Sequence, residues 1–327
     1  MADITKRRII VLRKGWHDIM FRYIVRRLLA LIPVVIGLTL VVFFLVNVVP
    51  GDTARLMAGE YADEETVEKI RETMGFDKPY LEQYANYLGN LLKGDLGRSY
   101  QTHRPVSEEI ATVFPKTIKL ALTTEMISIL VGIFLGMTAA LHRGSLYDRV
   151  ISMFGVLGLS IPQFWFALIL QLWLSVKLGL LPPSGYGQGF DIYIILPAIT
   201  LGIPSAGMMS RVSRSAFLEV LPQNYVRTAY SKGISDHLVI WKHALKNALI
   251  PVLSLVGTDM SRLLTGTMIV ESVFTWPGIG KYGYDALFYK DMPALQGTVL
   301  VLAISICIVN LIVDILYAAV DPRVRYN

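Results

Sequence analysis

Six stretches of this chain are each long enough and apolar enough to cross a lipid bilayer, and nothing else in the sequence limits the fold as much. A spanning helix needs about 20 mostly apolar residues. Residues 28–49, 120–141, 150–176, 192–210, 248–274 and 294–320 meet that requirement. The third stretch carries no charge, the second only Glu125, and the sixth only Asp314 near its end. The fifth is the weakest, because it holds Asp259, Arg262 and Glu271. Lipid offers no hydrogen bonds to an open backbone, and the runs do not alternate in polarity as barrel strands would. The expected class is all-α, a polytopic membrane protein of six transmembrane helices.

Charge distribution supports this class. Only 17% of residues are charged, against about 25% in soluble domains. A net charge of +6 on a soluble chain would point to nucleic acid. Here the basic residues gather at the ends of apolar runs, which points to the bilayer and to no nucleic acid. Residues 1–27 carry eight Lys or Arg against two Asp. They do not introduce a signal peptide, because the run 28–49 exceeds the roughly 7–15 apolar residues of one and ends in Asn47-Val-Val-Pro-Gly-Asp52. Cys307 lies alone in an apolar run and reads as a small buried side chain.

The same bias orients the chain. The segments 1–27, 141–149 and 211–246 and the tail beyond Asp321 are basic, whereas residues 50–116 hold twelve acids against eight bases. Both termini are therefore expected in the cytoplasm and 50–116 outside. The expected organisation is a basic cytoplasmic segment 1–27, a first transmembrane helix 28–49, an external helical domain 50–116, and a five-helix membrane core 117–327 with a cytoplasmic loop 211–247. Within 50–116, Asp63 can cap a helix running to Met74, with acids early, Lys or Arg later and Gly75 to stop it. A second helix fits 79–92, with Gly94 beyond.

The cytoplasmic loop reads as two short helices around a corner at Gly233, the second over 235–247 with Ser235 or Asp236 as its cap. Such a knob suits a groove in another protein. An ordinary basic loop that only anchors topology fits the composition equally.

Here the sequence resembles the permease subunits of binding-protein-dependent ATP-binding cassette (ABC) importers, in their peptide and nickel branch. Thr228-Ala229-x-x-x-Gly233 followed by Asn247-Ala-Leu-Ile-Pro251 is similar to the family's coupling loop. Further pieces follow in order from Met20: Arg22-Tyr-Ile-Val-Arg-Arg-Leu-Leu29, Pro50-Gly-Asp52, Gly94-Asp-Leu-Gly-Arg-Ser99, Ser160-Ile-Pro-Gln-Phe164, Glu271-Ser-Val-Phe-Thr-Trp-Pro-Gly-Ile-Gly280 and Asp321-Pro-Arg323. The usual acidic first position of the loop is Arg227 here.

The resemblance implies a type I importer fold in the bacterial inner membrane. It implies that Arg227, Thr228, Ala229, Gly233, Ile234, Ser235, Asp236 and His237 dock on a separate ATPase. It also implies a second related permease, two ATPase subunits and an extracytoplasmic binding protein. The chain has no phosphate cradle of the G-x-x-x-x-G-K-[ST] type; Pro277-Gly-Ile-Gly-Lys281 has the wrong spacing. ATP and magnesium are accordingly expected on partner subunits, with no cofactor and no catalysis on this one.

Ionisable residues inside a bilayer are candidates for function. Asp259 and Arg262 lie three apart on one helix face, as a self-neutralising pair or as part of the pathway, with Met260 as a pliable neighbour. Glu125 reads as near the outer end of its span, in contact with solvent or headgroups. The five histidines show no ligand spacing, so no resident metal is expected. An ion-coupled secondary transporter is the competing reading from another class; it calls for mid-span acids, answered only by Asp259, and for an internal repeat, which is not evident. An intramembrane enzyme would need a nucleophile and base at matching depth, and no His or Lys lies deep in a span. Within the family, peptides are the expected cargo, with nickel chelates and glutathione as alternatives.

Overall fold

The computed structural model describes residues 25–26, 29–44, 53–58, 62–187 and 192–320. The lead-in 1–19, the Pro50-Gly-Asp52 turn, most of the 22–29 motif and the Asp321-Pro-Arg323 tail lie outside the described residues. Helices α1 (Leu29–Phe44), α2 (Thr53–Ala58), α3 (Glu64–Met74), α4 (Tyr80–Leu92), α5 (Val106–Leu141), α6 (Leu146–Ser160) and α7 (Gln163–Leu170) come first. They are followed by α8 (Ile195–Val220), α9 (Asn224–Ser231), α10 (Asp236–Leu238), α11 (Leu245–Gly266), α12 (Met268–Val273), α13 (Ile279–Phe288) and α14 (Met292–Val320). Among the described residues there is no strand, only an isolated bridge between Arg98 and Pro105.

Among the described residues, four helical stretches are long and apolar enough to cross a membrane: Val106–Leu141, Ile192–Val220, Asp236–Thr265 and Met292–Leu316. α1 is a shorter apolar helix. The third apolar run, expected as one span over 150–176, is more sharply bent than a kinked span. It breaks into Leu146–Gly158 and Gln163–Lys177, which meet at 108°. The cause is Pro162, which lacks an amide hydrogen and pushes the residue before it out of the helical region. Ile161 is accordingly extended, at φ −83° and ψ 124°.

Other boundaries also move. The second expected span is the inner part of a 36-residue helix. At about 1.5 Å per residue that helix is far longer than the roughly 30 Å hydrocarbon layer. The fourth span continues ten residues past 210, to Val220. The fifth stops at Gly266, and α12 takes over at Met268.

Between α1 and α5 the local signals act as expected. Asp63 accepts a hydrogen bond from Thr66 N (3.0 Å) at the start of α3, which holds its carboxyl below the ordinary value. Gly75 ends α3 in the left-handed region at φ 71°. α4 meets α1 through the Phe43 and Tyr84 rings, 5.4 Å apart, and a Thr39–Tyr84 hydroxyl contact of 3.0 Å.

The centre of the molecule is α8, packed against α5, α6 and α11. Small residues let α5 and α8 approach. A Cβ on Gly132 would lie 2.4 Å from Met209 Cβ, and one on Gly136 2.4 Å from Ser210 O. Leu120, Leu196, Leu201, Leu263, Phe274 and Trp276 are buried in the main core.

Candidate functional site

The loop after α8 folds into a compact knob. α9 ends at Ser231, and Gly233 turns the chain at φ +73°, in the region that glycine enters without penalty. Gly233 N donates to Tyr230 O (2.9 Å) and Ile234 N to Ala229 O (3.3 Å), closing the helix end. Val226 and Val239, both fully buried, and Ala229, at 5% exposure, form a small core beneath the corner, with Ile234 half-buried against it. Arg227, Thr228, Ser235, Asp236 and His237 are exposed. The Thr228 hydroxyl donates back to Asn224 O (2.8 Å). Ser235 occupies the cap position of α10, although its side chain makes no capping bond.

Four exposed residues around these positions escaped the sequence reading: Tyr225, Tyr230, Leu238 and Trp241. The ring of Trp241 stacks on His237 at 5.9 Å. The available signal was a set of large apolar side chains in an otherwise polar loop, left exposed among the described residues.

The second arm of the knob is not the separate helix expected over 235–247. α10 passes through a wider π-helical stretch, Val239–Ala244, directly into α11. Asp236–Thr265 is a single 30-residue rod. Sequence alone separated this arm from the span at Asn247, with Pro251 just inside the span, and Pro251 does lie inside α11. The knob and the mid-membrane charges therefore share one helix.

On that helix Arg262 Nε donates to Asp259 Oδ1 at 2.8 Å, and its Nη2 donates to Ser205 Oγ of α8 at 2.6 Å. Asp259 is 8% exposed, whereas the Arg262 side chain is 41% exposed. Both line a cavity of about 330 Å³ with Gly158, Gln163, Met208 and Thr258. The 108° break thus forms part of its wall. Met260 points elsewhere, into an apolar groove of about 450 Å³ between α5, α11 and α14. Glu125 also lines that groove. It is not at the headgroups: it is 5% exposed and sits beside Asp259 and Arg262.

On α12, just beyond the end of α11, Glu271 is fully buried. Its carboxylate accepts from Thr117 Oγ1 (2.7 Å), Thr267 Oγ1 (3.1 Å) and Lys281 N (2.8 Å). Thr117 Oγ1 in turn accepts from Ile279 N (2.8 Å), and Trp276 Nε1 donates to Lys116 O (3.2 Å). This arrangement binds the Glu271–Gly280 motif to α5. A buried carboxylate with this many donors is a fully satisfied polar network. Tyr282 Oη donates to Glu109 Oε2 (2.7 Å), and burial raises its phenol above the ordinary value, so it stays a donor.

Comparison with known proteins agrees with this architecture. The family described as "Binding-protein-dependent transport system inner membrane component" matches residues 132–326. Its N-terminal companion matches residues 20–121. The glutathione transport system permease protein GsiC of Salmonella typhi is 41% identical over 308 residues, 94% of this chain and 100% of that one. GsiC of Escherichia coli (strain K12) is 39% identical with the same coverage. The inward-facing MetNI methionine ABC transporter, native crystal form, gives a TM-score of 0.54 at 19% identity, over 65% of this chain and 96% of its own, which is a likeness of fold. The chain belongs to the binding-protein-dependent transport system inner membrane components, the transmembrane permease subunits of ABC importers.

Proposed function

We propose that this permease carries short peptides inward, and that residues 224–238 dock on a partner ATPase. The observation that carries the reading is the continuity of the rod Asp236–Thr265. Force applied at Asp236, His237 and Leu238 travels along one helix to Asp259 and Arg262 with no loop to absorb it. The exposed Tyr225, Tyr230, Leu238 and Trp241 supply the apolar contact area that such docking needs. Arg227, on the same surface, faces the partner as a cation. Two ATPases hold the ATP and magnesium, and this chain needs no cofactor.

A second related permease completes the passage, and a binding protein outside delivers the cargo. Both termini lie in the cytoplasm, with 50–116 outside and 211–247 inside, following the Lys/Arg bias. Glutathione is the second reading, favoured by relatives that are named glutathione transport system permeases. The test is ATP hydrolysis by the whole complex in proteoliposomes with its binding protein. Short peptides are expected to stimulate it. Stimulation by a nickel chelate with peptides inert would overturn the cargo, and failure of any ATPase to bind the chain would overturn the docking.

A further inference from the structure

Three carboxylate oxygens in the middle of the helix bundle have no hydrogen-bond partner: Oε1 and Oε2 of Glu125 and Oδ2 of Asp259. Both residues are more than nine-tenths buried. They come from different helices, α5 and α11, and lie side by side. Arg262 neutralises one of the two and spends its bonds on Asp259 Oδ1 and Ser205. With one guanidinium for two adjacent carboxyls, the second must hold a proton shared with its neighbour or meet one further positive charge. Buried acceptors without donors cost about 1–3 kcal/mol each. Natural proteins rarely keep three together unless something fills them.

We propose that Glu125 and Asp259 receive the primary ammonium group of the cargo during passage. An ammonium offers three N–H donors and one charge. At rest a proton shared between Glu125 and Asp259 can serve these oxygens, and an ammonium takes its place with three donors and one charge. A guanidinium is already present, and a metal ion would want more oxygen or imidazole ligands than two carboxylates supply. Asp259 forms part of the 330 Å³ cavity wall next to the kinked helix pair, and Glu125 stands beside it on the side of the apolar groove. Loosening of α11 from α5, driven through the rod from the knob, opens the way to them. The inference rests on the peptide reading and sharpens it, because it requires cargo with a free amino group.

Glu125 also borders the open apolar groove between α5, α11 and α14. A hydrophobic carbodiimide partitions into that groove and reacts with the carboxyl when motion of α11 exposes it. In nanodiscs holding this chain with its permease and ATPase partners, without the binding protein, modification of Glu125 is followed by mass spectrometry. Millimolar glycylglycine is expected to slow it, while N-acetylglycylglycine and sodium chloride at equal concentration do not. Equal protection by sodium would show an inorganic cation site, and equal protection by the acetylated peptide would show no amine recognition; either overturns the proposal.

If Glu125 resists the reagent, uptake decides. With saturating binding protein, Glu125→Gln is expected to lower maximal glycylglycine uptake about tenfold or more, and Glu125→Asp to restore part of it at unchanged thermal stability. Full uptake in Glu125→Gln would overturn the proposal. Peptide-stimulated ATP hydrolysis by the unmodified complex is measured in parallel, so an error in the cargo reading is distinguishable from an error in this site.

Discussion

Arg214 holds Asp148 with two nitrogens: Nε lies 2.5 Å from Oδ1 and Nη2 2.8 Å from Oδ2. The fork ties the start of α6 to the end of α8, and Gly144 N adds a third donor at 2.9 Å. Asp148 is 4% exposed. Parallel charge-assisted bonds of this kind need the planar guanidinium and are not reproduced by an ammonium. Arg214→Lys is expected to lower the thermal stability of the detergent-solubilised chain, by about 2 kcal/mol. Arg214→Ala should cost more, since it leaves the carboxylate buried without its cation. Unchanged melting in both variants would show that the pair contributes nothing.

Gly278 has no room for a side chain. A Cβ there would lie 2.3 Å from Glu271 Oε1 and 2.4 Å from Thr117 Oγ1. Gly278→Ala must displace the carboxylate that holds α12, α13 and α5 together. We expect a loss of about 1–3 kcal/mol from overpacking, read as a lower level in the membrane and a lower melting temperature. Normal levels with normal melting would show that the loop relaxes freely.

These two positions show where one-dimensional reading succeeds and where it stops. α3 was legible because its signals are local: Asp63 caps it and Gly75 ends it, each within a turn of the helix. Glu271 was counted as a defect in a membrane span, yet it is a staple. Its partners Thr117 and Lys281 are 154 and 10 residues away. Glu125 was placed at the headgroups because depth was inferred from distance along the run. The neighbouring α11 decides its burial, and no periodicity in α5 carries that information. Pro162 is visible in the sequence as a helix breaker, but the charge-free run around it hides how large the bend is. The corner at Gly233 was visible because glycine marks it. The unbroken helix beyond it was not, because the polar loop 235–247 and the apolar run from 248 read as two separate helices.

Arg262 pairs with Asp259 through Oδ1 on one helix face and also reaches Ser205. Removing either partner alone leaves a charge in a low-dielectric interior. Asp259→Ala and Arg262→Ala are each expected to lower the amount of folded chain, by about 3 kcal/mol for a buried pair and less here because Arg262 is partly exposed. The double variant should recover much of that loss. If the pair also guides cargo, the recovered double variant will be present at normal levels and transport poorly. Normal uptake by the double variant would make the pair structural only.

The orientation rests on the Lys/Arg bias and is directly checkable. In a Cys307→Ser background, a cysteine at Glu68 in α3 should react with a membrane-impermeant thiol reagent on intact cells, and one at Ser235 should not. Glu68 and Ser235 are both exposed, so burial cannot mimic the result. The reverse pattern would invert the topology.

Gly233 separates strain from crowding. An ideal Cβ at this position meets nothing within 4 Å, so a larger residue fits sterically. Its φ of +73° is the only obstacle. A β-branched residue there costs about 1–2 kcal/mol of local strain, whereas asparagine tolerates the left-handed region. The corner holds α9 against the foot of the rod through Val226, Ala229 and Val239, so strain at Gly233 tilts the exposed aromatic face and leaves the membrane core untouched. Gly233→Val is expected to insert at normal levels, to bring down less ATPase on purification and to lose uptake. Gly233→Asn should retain most of both. Were Gly233→Val to assemble and transport normally, the knob would have no part in coupling; were both variants equally defective, the glycine would be needed for contact with the partner and not for its backbone angle.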